Sequence, residues 1–192
     1  MLKNTIVLDE ENHIYRVDGK IVPSVTQLLP KQDYFVSDEK LEECAADGSA
    51  NHAAVKEMLD TGVSTCGYTD AVKQFIEDMK DIIGDLLIYE TPMYSPDGFA
   101  GTPDMVFKNA IVDLKRSSGN IKIHALQLAG YQLLATQNNV IEPTKQHYIL
   151  IANEDGTYSI SNVYHQYAIQ TFKSLITKHK IDKSVEYYLK SI

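Results

Sequence analysis

The chain has 192 residues, 44% hydrophobic and 23% charged, with a formal net charge of −8 and only two cysteines, Cys44 and Cys66. That is enough for one domain with a substantial core, and no apolar run approaches the roughly 18 residues that would span a membrane. The acidic balance argues against broad coating of nucleic acid, though not against a site that handles it locally. Two cysteines cannot supply an iron–sulfur cluster or a four-cysteine zinc site, and free thiols in a reducing compartment are expected.

In chain order, the apolar run near the N-terminus is too short for a signal peptide, which predicts a cytosolic protein. Residues 5–23 read as short strands, with Ile14–Val17 and Lys20–Val22 flanking an Asp18-Gly19 turn. Ser24 is placed to cap a short helix from Val25 to Leu29, and residues 30–35 read as loop. Ser37 is expected to cap a longer helix from Asp38 to Leu59, with Gly48 a place to bend or split it and Gly62 beyond its end. A second amphipathic helix is predicted from Asp70 to Ile83, where Val72, Phe75, Ile76, Met79 and Ile83 recur at helical spacing. Leu86–Tyr94 reads as a strand, followed by a turn at 95–98, a hairpin, a helix over Ile123–Thr136 and a strand over His147–Ala152. That strand turns at Asp155-Gly156 into Tyr158–Val163, and the tail from Gln166 reads as one or two helices. Helices, strands, helix, strands and helices in that order predict an α/β fold, a mixed sheet covered by helices.

The hairpin carries the chemistry. In Gly101-Thr-Pro-Asp104-Met-Val-Phe-Lys-Asn-Ala-Ile-Val-Asp113-Leu-Lys115, a two-residue turn at Lys108-Asn109 pairs Phe107 with Ala110 and sets Asp104 opposite Asp113 on one face. A three-residue turn would make them diagonal neighbours instead. Directly opposed strand residues have Cβ atoms about 5 Å apart, where like charges repel unless a divalent cation lies between them. Lys115, two residues on, points the same way. Two carboxylates and an ammonium on one spot suit metal-assisted phosphodiester hydrolysis; a hairpin with exposed charges is the plain alternative. The acidic-x-Lys pattern also occurs at Asp18, Asp38 and Asp78, but only at Asp113 does it follow an apolar strand with a Gly-x-Pro-Asp partner. Lys108, Lys115, Arg116 and Lys122 form a basic group beside the hairpin.

The following helix places His124, Gln127 and Tyr131 on one stripe, with Leu126, Ala129 and Leu133 opposite. Gln127 and Tyr131 could hold a phosphate or orient Lys115, or Tyr131 could pack in the core with Gln127 facing solvent. His52, on the earlier helix among small alanines, is a candidate third metal ligand or an ordinary helix histidine. Glu90 could point at the site or away. His13, His147, His165 and His179 show no ligand spacing.

These residues together resemble the PD-(D/E)XK nuclease superfamily, in its RecB/Cas4-like branch common among phage exonucleases. That branch carries Gly-x-x-x-His, here Gly48 to His52; Gly-x-x-Asp, here Gly101 to Asp104; acidic-x-Lys, here Asp113-Leu-Lys115; and Gln-x-x-x-Tyr, here Gln127 to Tyr131. The opening His13-x-Tyr, Asp18-Gly and Val22-Pro-Ser-Val-Thr is also similar to phage-type members, so the match runs over about residues 13–135. The resemblance implies a restriction-endonuclease-like core over residues 37–192, with a small N-terminal hairpin region over 1–36, all in one compact body. It implies a Mg²⁺- or Mn²⁺-dependent deoxyribonuclease, an exonuclease of phage DNA recombination or repair. DNA would be its substrate, a single-strand annealing or recombination protein a partner, and the bacterial host cytoplasm its location, with no membrane involvement. By the same resemblance His52, Asp104, Asp113 and the Leu114 carbonyl would bind metal, Glu90 would be an outer ligand, and Lys115, Gln127 and Tyr131 would serve catalysis. The two cysteines rule out a cluster-bearing Cas4, and no phosphate loop of a helicase motor is present. The competing expectation is a nuclease-like module that binds nucleic acid or protein without cutting. A phosphatase is disfavoured because no His/Asp-rich two-metal array is present.

Overall fold

The computed structural model describes residues 5–9, 11–31, 38–116 and 119–191, with 38–47 and 49 described for backbone only. The loop over 30–35, the Ser37 cap, the 36/37 boundary and the Cys44 side chain therefore fall wholly or partly outside the described residues.

A five-stranded mixed sheet forms the centre, in the order β10 (Tyr158–Asn162), β9 (His147–Ala152), β8 (Ile111–Leu114), β7 (Met105–Phe107) and β4 (Leu86–Tyr89). Only β8 and β9 run parallel, and the link between them is α4 (Ile121–Gln137), a crossover helix of the kind parallel strands require. The side-chain alternation of the strands divides the core in two. Met105, Phe107, Val112 and Leu114 face α3 (Gly67–Ile83) and the end of α2 (Asp38–Thr61). Val106, Ile111 and Ile149 face α4 and α5 (Ala168–Ser191). The mixed α/β architecture is thus as expected.

A separate antiparallel sheet, β1 (Ile6–Asp9), β2 (Ile14–Val17) and β3 (Lys20–Val22), precedes α1 (Val25–Leu28). Ser24 caps α1 with a reciprocal box: its hydroxyl accepts from Gln27 N–H at 3.1 Å and its own N–H donates to Gln27 Oε1 at 3.0 Å. Val25 is buried against two glycines. A Cβ on Gly101 would come within 2.9 Å of its Cγ2, and one on Gly130 within 2.9 Å of its Cγ1.

Several expected boundaries move. The stretch 86–94 is not one strand: Glu90 takes a left-handed φ of 37°, and Met93–Ser95 (β5) pairs instead with Phe99–Gly101 (β6) as a separate hairpin. Helix α2 runs unbroken through Gly48, and the tail is a single helix. Helix α3 starts three residues early, because Thr69 Oγ1 serves as the local capping group for the backbone at 65 and 66. Helix α4 starts two residues early, with Asn120 accepting from Lys122 N–H. Among the described residues no helix is long and apolar enough to cross a membrane.

Candidate active site

The hairpin register is the one the two-residue turn predicts. Met105 pairs with Val112 and Val106 with Ile111, while Phe107 N–H donates to Ala110 C=O at 2.8 Å. Extending that register by one residue places Asp104 opposite Asp113. On the other side Tyr89 pairs with Met105, and Glu90 N–H donates to Asp104 C=O at 3.0 Å. Three carboxylates, Glu90, Asp104 and Asp113, therefore stand in one cross-strand row at the end of the sheet. A register shift between Leu86 and Ile88 and the left-handed turn at Glu90 bring the first of them into line.

Exposure rises along this row. The Asp113 side chain is 1% exposed, Asp104 13%, Glu90 25% and His52 30%, so Asp113 is the floor and His52 the mouth. His52 Nδ1 lies 2.8 Å from Glu90 Oε1 and 3.8 Å from Asp104 Oδ1. Asp104 Oδ2 accepts from Leu114 N–H at 2.6 Å. Lys115 Nζ is 2.6 Å from Asp113 Oδ2, an ion pair by distance, although that buried oxygen has no aligned hydrogen bond. Asp113 Oδ1 accepts from Gln127 Nε2 at 3.3 Å, and the same nitrogen donates to Tyr131 Oη at 3.1 Å.

Helix α4 differs from the expected two-sided helix. His124, Gln127 and Tyr131 are all buried, along with Leu128, Gly130 and Leu134, because both α5 and the sheet pack on it. Gln127 does not face solvent; it faces Asp113. Every nominated side chain from His52 through Tyr131 thus lies in one connected group, with Leu114 joined to it through its N–H. His147 lies elsewhere, buried with its Nε2 2.8 Å from Gln132 Oε1 on α4.

The electrostatics follow from the burial. Asp104 is pushed up to about 7, first by burial and then by the neighbouring charge of Asp113. His52 is raised, chiefly by its hydrogen bond to Glu90, against the opposing effect of burial. Burial takes the Tyr131 hydroxyl well above its ordinary range, so it stays neutral. Tyr68, on the first turn of α3, is pushed up to about 12 by burial and then by Asp104. The sequence reading missed Tyr68. Tyr15 entered it only as part of the His13-x-Tyr opening, with no role; its hydroxyl lies 2.8 Å from Thr102 Oγ1 beside the Gly101–Asp104 turn.

Among the described residues no three His, Cys, Asp or Glu side chains stand ready to enclose one ion. The donor set nonetheless suits a hard divalent cation. Two buried carboxylates repel across the hairpin, and an imidazole lies at the mouth.

No protein-family model and no curated protein matches this chain. Among solved structures it is similar to the crystal structure of an alkaline exonuclease (LHK-Exo) from Laribacter hongkongensis. The two are 11% identical, with a TM-score of 0.45, over 87% of this chain and 89% of that one. At that level of likeness the functional reading rests on the side chains alone.

Proposed function

We propose that the protein is a Mg²⁺- or Mn²⁺-dependent DNA nuclease of the PD-(D/E)XK type. The observation that carries the reading is the facing pair Asp104 and Asp113, buried beside Lys115 and backed by Gln127 and Tyr131. Mutually repelling carboxylates are costly in a core, and the chemistry they suit is holding a cation. Asp104, Asp113 and His52 would hold it, with the Leu114 carbonyl alongside and Glu90 outside. Bound there, the metal would lower the pKa of a water and neutralise charge developing on a phosphoryl group. Lys115 orients the attacking water and stabilises charge on a non-bridging oxygen as the water–phosphorus bond forms and the bond to the leaving oxygen breaks. Gln127 donates its amide hydrogens to Asp113 and Tyr131, fixing the floor. His52, steered by Glu90, completes the mouth.

The test is cleavage of end-labelled linear DNA and closed-circular DNA with Mg²⁺, Mn²⁺ or EDTA, for wild type, Asp113→Asn and Lys115→Ala. Expected is metal-dependent loss of linear DNA, reduced at least a hundredfold in both variants. Full activity in either variant sinks the assignment. Cutting of the circle as well would make it an endonuclease on the same chemistry. Binding without cutting would leave a non-catalytic module.

A further inference from the structure

Among the described residues, a side-chain hydrogen bond joins the N-terminal sheet to the edge of the site. Tyr15 lies on β2, 87 residues before its partner Thr102, and its hydroxyl is 2.8 Å from Thr102 Oγ1. Tyr15 is buried at 6% exposure and Thr102 is half-buried, so the bond is partly shielded from water. Thr102 stands between Gly101, which ends β6, and Asp104, which precedes β7, so it lies in the span where the chain passes from the small hairpin to the central sheet. The two ends of that span are fixed differently. Gly101 is wedged: a Cβ there would meet Val25 Cγ2 at 2.9 Å and Leu134 Cδ1 at 3.0 Å. Asp104 is held by Glu90 N–H on its carbonyl and by Leu114 N–H on its carboxylate. Between them, Tyr15 holds the Thr102 side chain.

We infer that Tyr15 is a positioning residue: through Thr102 it sets the span that aims the Asp104 carboxylate at Asp113, making the N-terminal sheet part of the metal site. This rests on the nuclease reading above. The hydroxyl's hydrogen-bond partner is Thr102 and neither carboxylate, so it acts on metal binding by holding the backbone that carries one of them. A hydrogen bond removed from the middle of such a span leaves Asp104 a wider range of orientations, and the carboxylate pair then meets a cation less often in the right geometry.

The experiment measures Mn²⁺ binding by calorimetry, without DNA, for wild type, Tyr15→Phe, Thr102→Val and the double variant, with thermal melts alongside. Both substitutions keep the shape and remove one end of the bond. Each single variant is expected to weaken Mn²⁺ binding about fivefold, because the loosened span presents Asp104 to the cation less often in the right geometry. The double variant is expected to be no weaker than either single, because both remove the same bond. In cleavage assays kcat falls while KM for DNA stays within twofold. Unchanged Mn²⁺ affinity in both singles, with wild type binding normally, overturns the inference and leaves the nuclease reading standing; so does additive loss in the double. A fall in affinity matched by melting of the fold at the assay temperature also overturns it. Wild type that binds no Mn²⁺ overturns both.

Discussion

Gly130 sits mid-helix in α4, where alanine would ordinarily gain about 1 kcal/mol in helix propensity. Here a Cβ would lie 2.7 Å from Phe172 Cζ and 2.9 Å from Val25 Cγ1, and the Phe172 ring is fully buried with its edge on Phe99, 5.4 Å between centroids. Neither neighbour can withdraw without disturbing the other, and overpacking costs about 1–3 kcal/mol. The close approach therefore outweighs propensity: Gly130→Ala is expected to lower the melting temperature, and a rise would show that the Phe172 ring can move aside. Asp104 shows the opposite bias, a residue kept against stability. Its neutral isostere Asn can still accept from Leu114 N–H, while the repulsion from Asp113 and the cost of burying the charge both disappear. Without metal, Asp104→Asn is expected to melt higher than wild type at pH 8, and an unchanged or lower melting point would refute that cost.

At the scale of elements, α1 has only four residues and no length from which to draw stability, so its geometry depends on its cap. Ser24→Ala removes the hydroxyl that accepts from Gln27 N–H and is expected to cost about 1 kcal/mol by denaturant titration. A loss below a few tenths would mean that Val25 packing alone holds the turn. The last turns of α5 are built differently. Phe172 and Ile176 anchor the helix, but from residue 180 to 191 every position is exposed, Ile181, Val185, Tyr188 and Leu189 included. Truncation before Ile181 is expected to cost less than about 1 kcal/mol, since the residues removed bury almost nothing; a loss of several would mean the segment docks. The strand expected over 86–94 shows why boundaries were harder to read than elements. Its apolar letters continue past Glu90, but the chain turns there into a left-handed conformation, a strain of order 1–3 kcal/mol that neighbouring contacts must offset.

For the whole molecule, two buried groups set opposing pH dependences. His147 is lowered to about 4 by burial; its Nε2–H donates to Gln132 Oε1, which also accepts from Thr144 N–H, and Nδ1 has no partner. The unfolded chain binds a proton there below about 6.5 and the folded chain does not, so this group makes stability fall as pH drops from about 6.5 towards 4. Asp104 has the reverse sign. Its folded carboxyl holds a proton up to about 7 while the unfolded one releases it near 3.8, so it makes stability fall as pH rises through that window. In EDTA the two slopes oppose each other between about pH 4 and 6.5. Removing the Asp104 charge should expose the histidine: the Asp104→Asn advantage in melting temperature is expected to grow from pH 5 to pH 8, and an equal advantage at both would contradict the assignment. Saturating Mg²⁺ or Mn²⁺ should raise the wild-type melting temperature through mass action, and should do so much less for Asp113→Asn.

The sequence by itself determined that Asp104 and Asp113 are close across a hairpin, because either turn length between the short apolar runs keeps them neighbours; the structure has the two-residue turn that sets them face to face. It also determined the mixed sheet covered by helices, from the periodicity of successive segments, and the placing of Gln127 and Tyr131 on one helix stripe, from their spacing. The tertiary structure decided what depends on contacts between distant segments. Whether Glu90 faces the site turned on a register shift and a strained φ that its neighbours impose, not on its place in an alternating pattern. That Gln127 is buried rather than solvated followed from α4 packing its Gln127 side onto β8, where the side chain meets Asp113. The bond from Tyr15 to Thr102 spans 87 residues and leaves no local trace, since two hydroxyls find each other only after the sheet and the helix between them have packed.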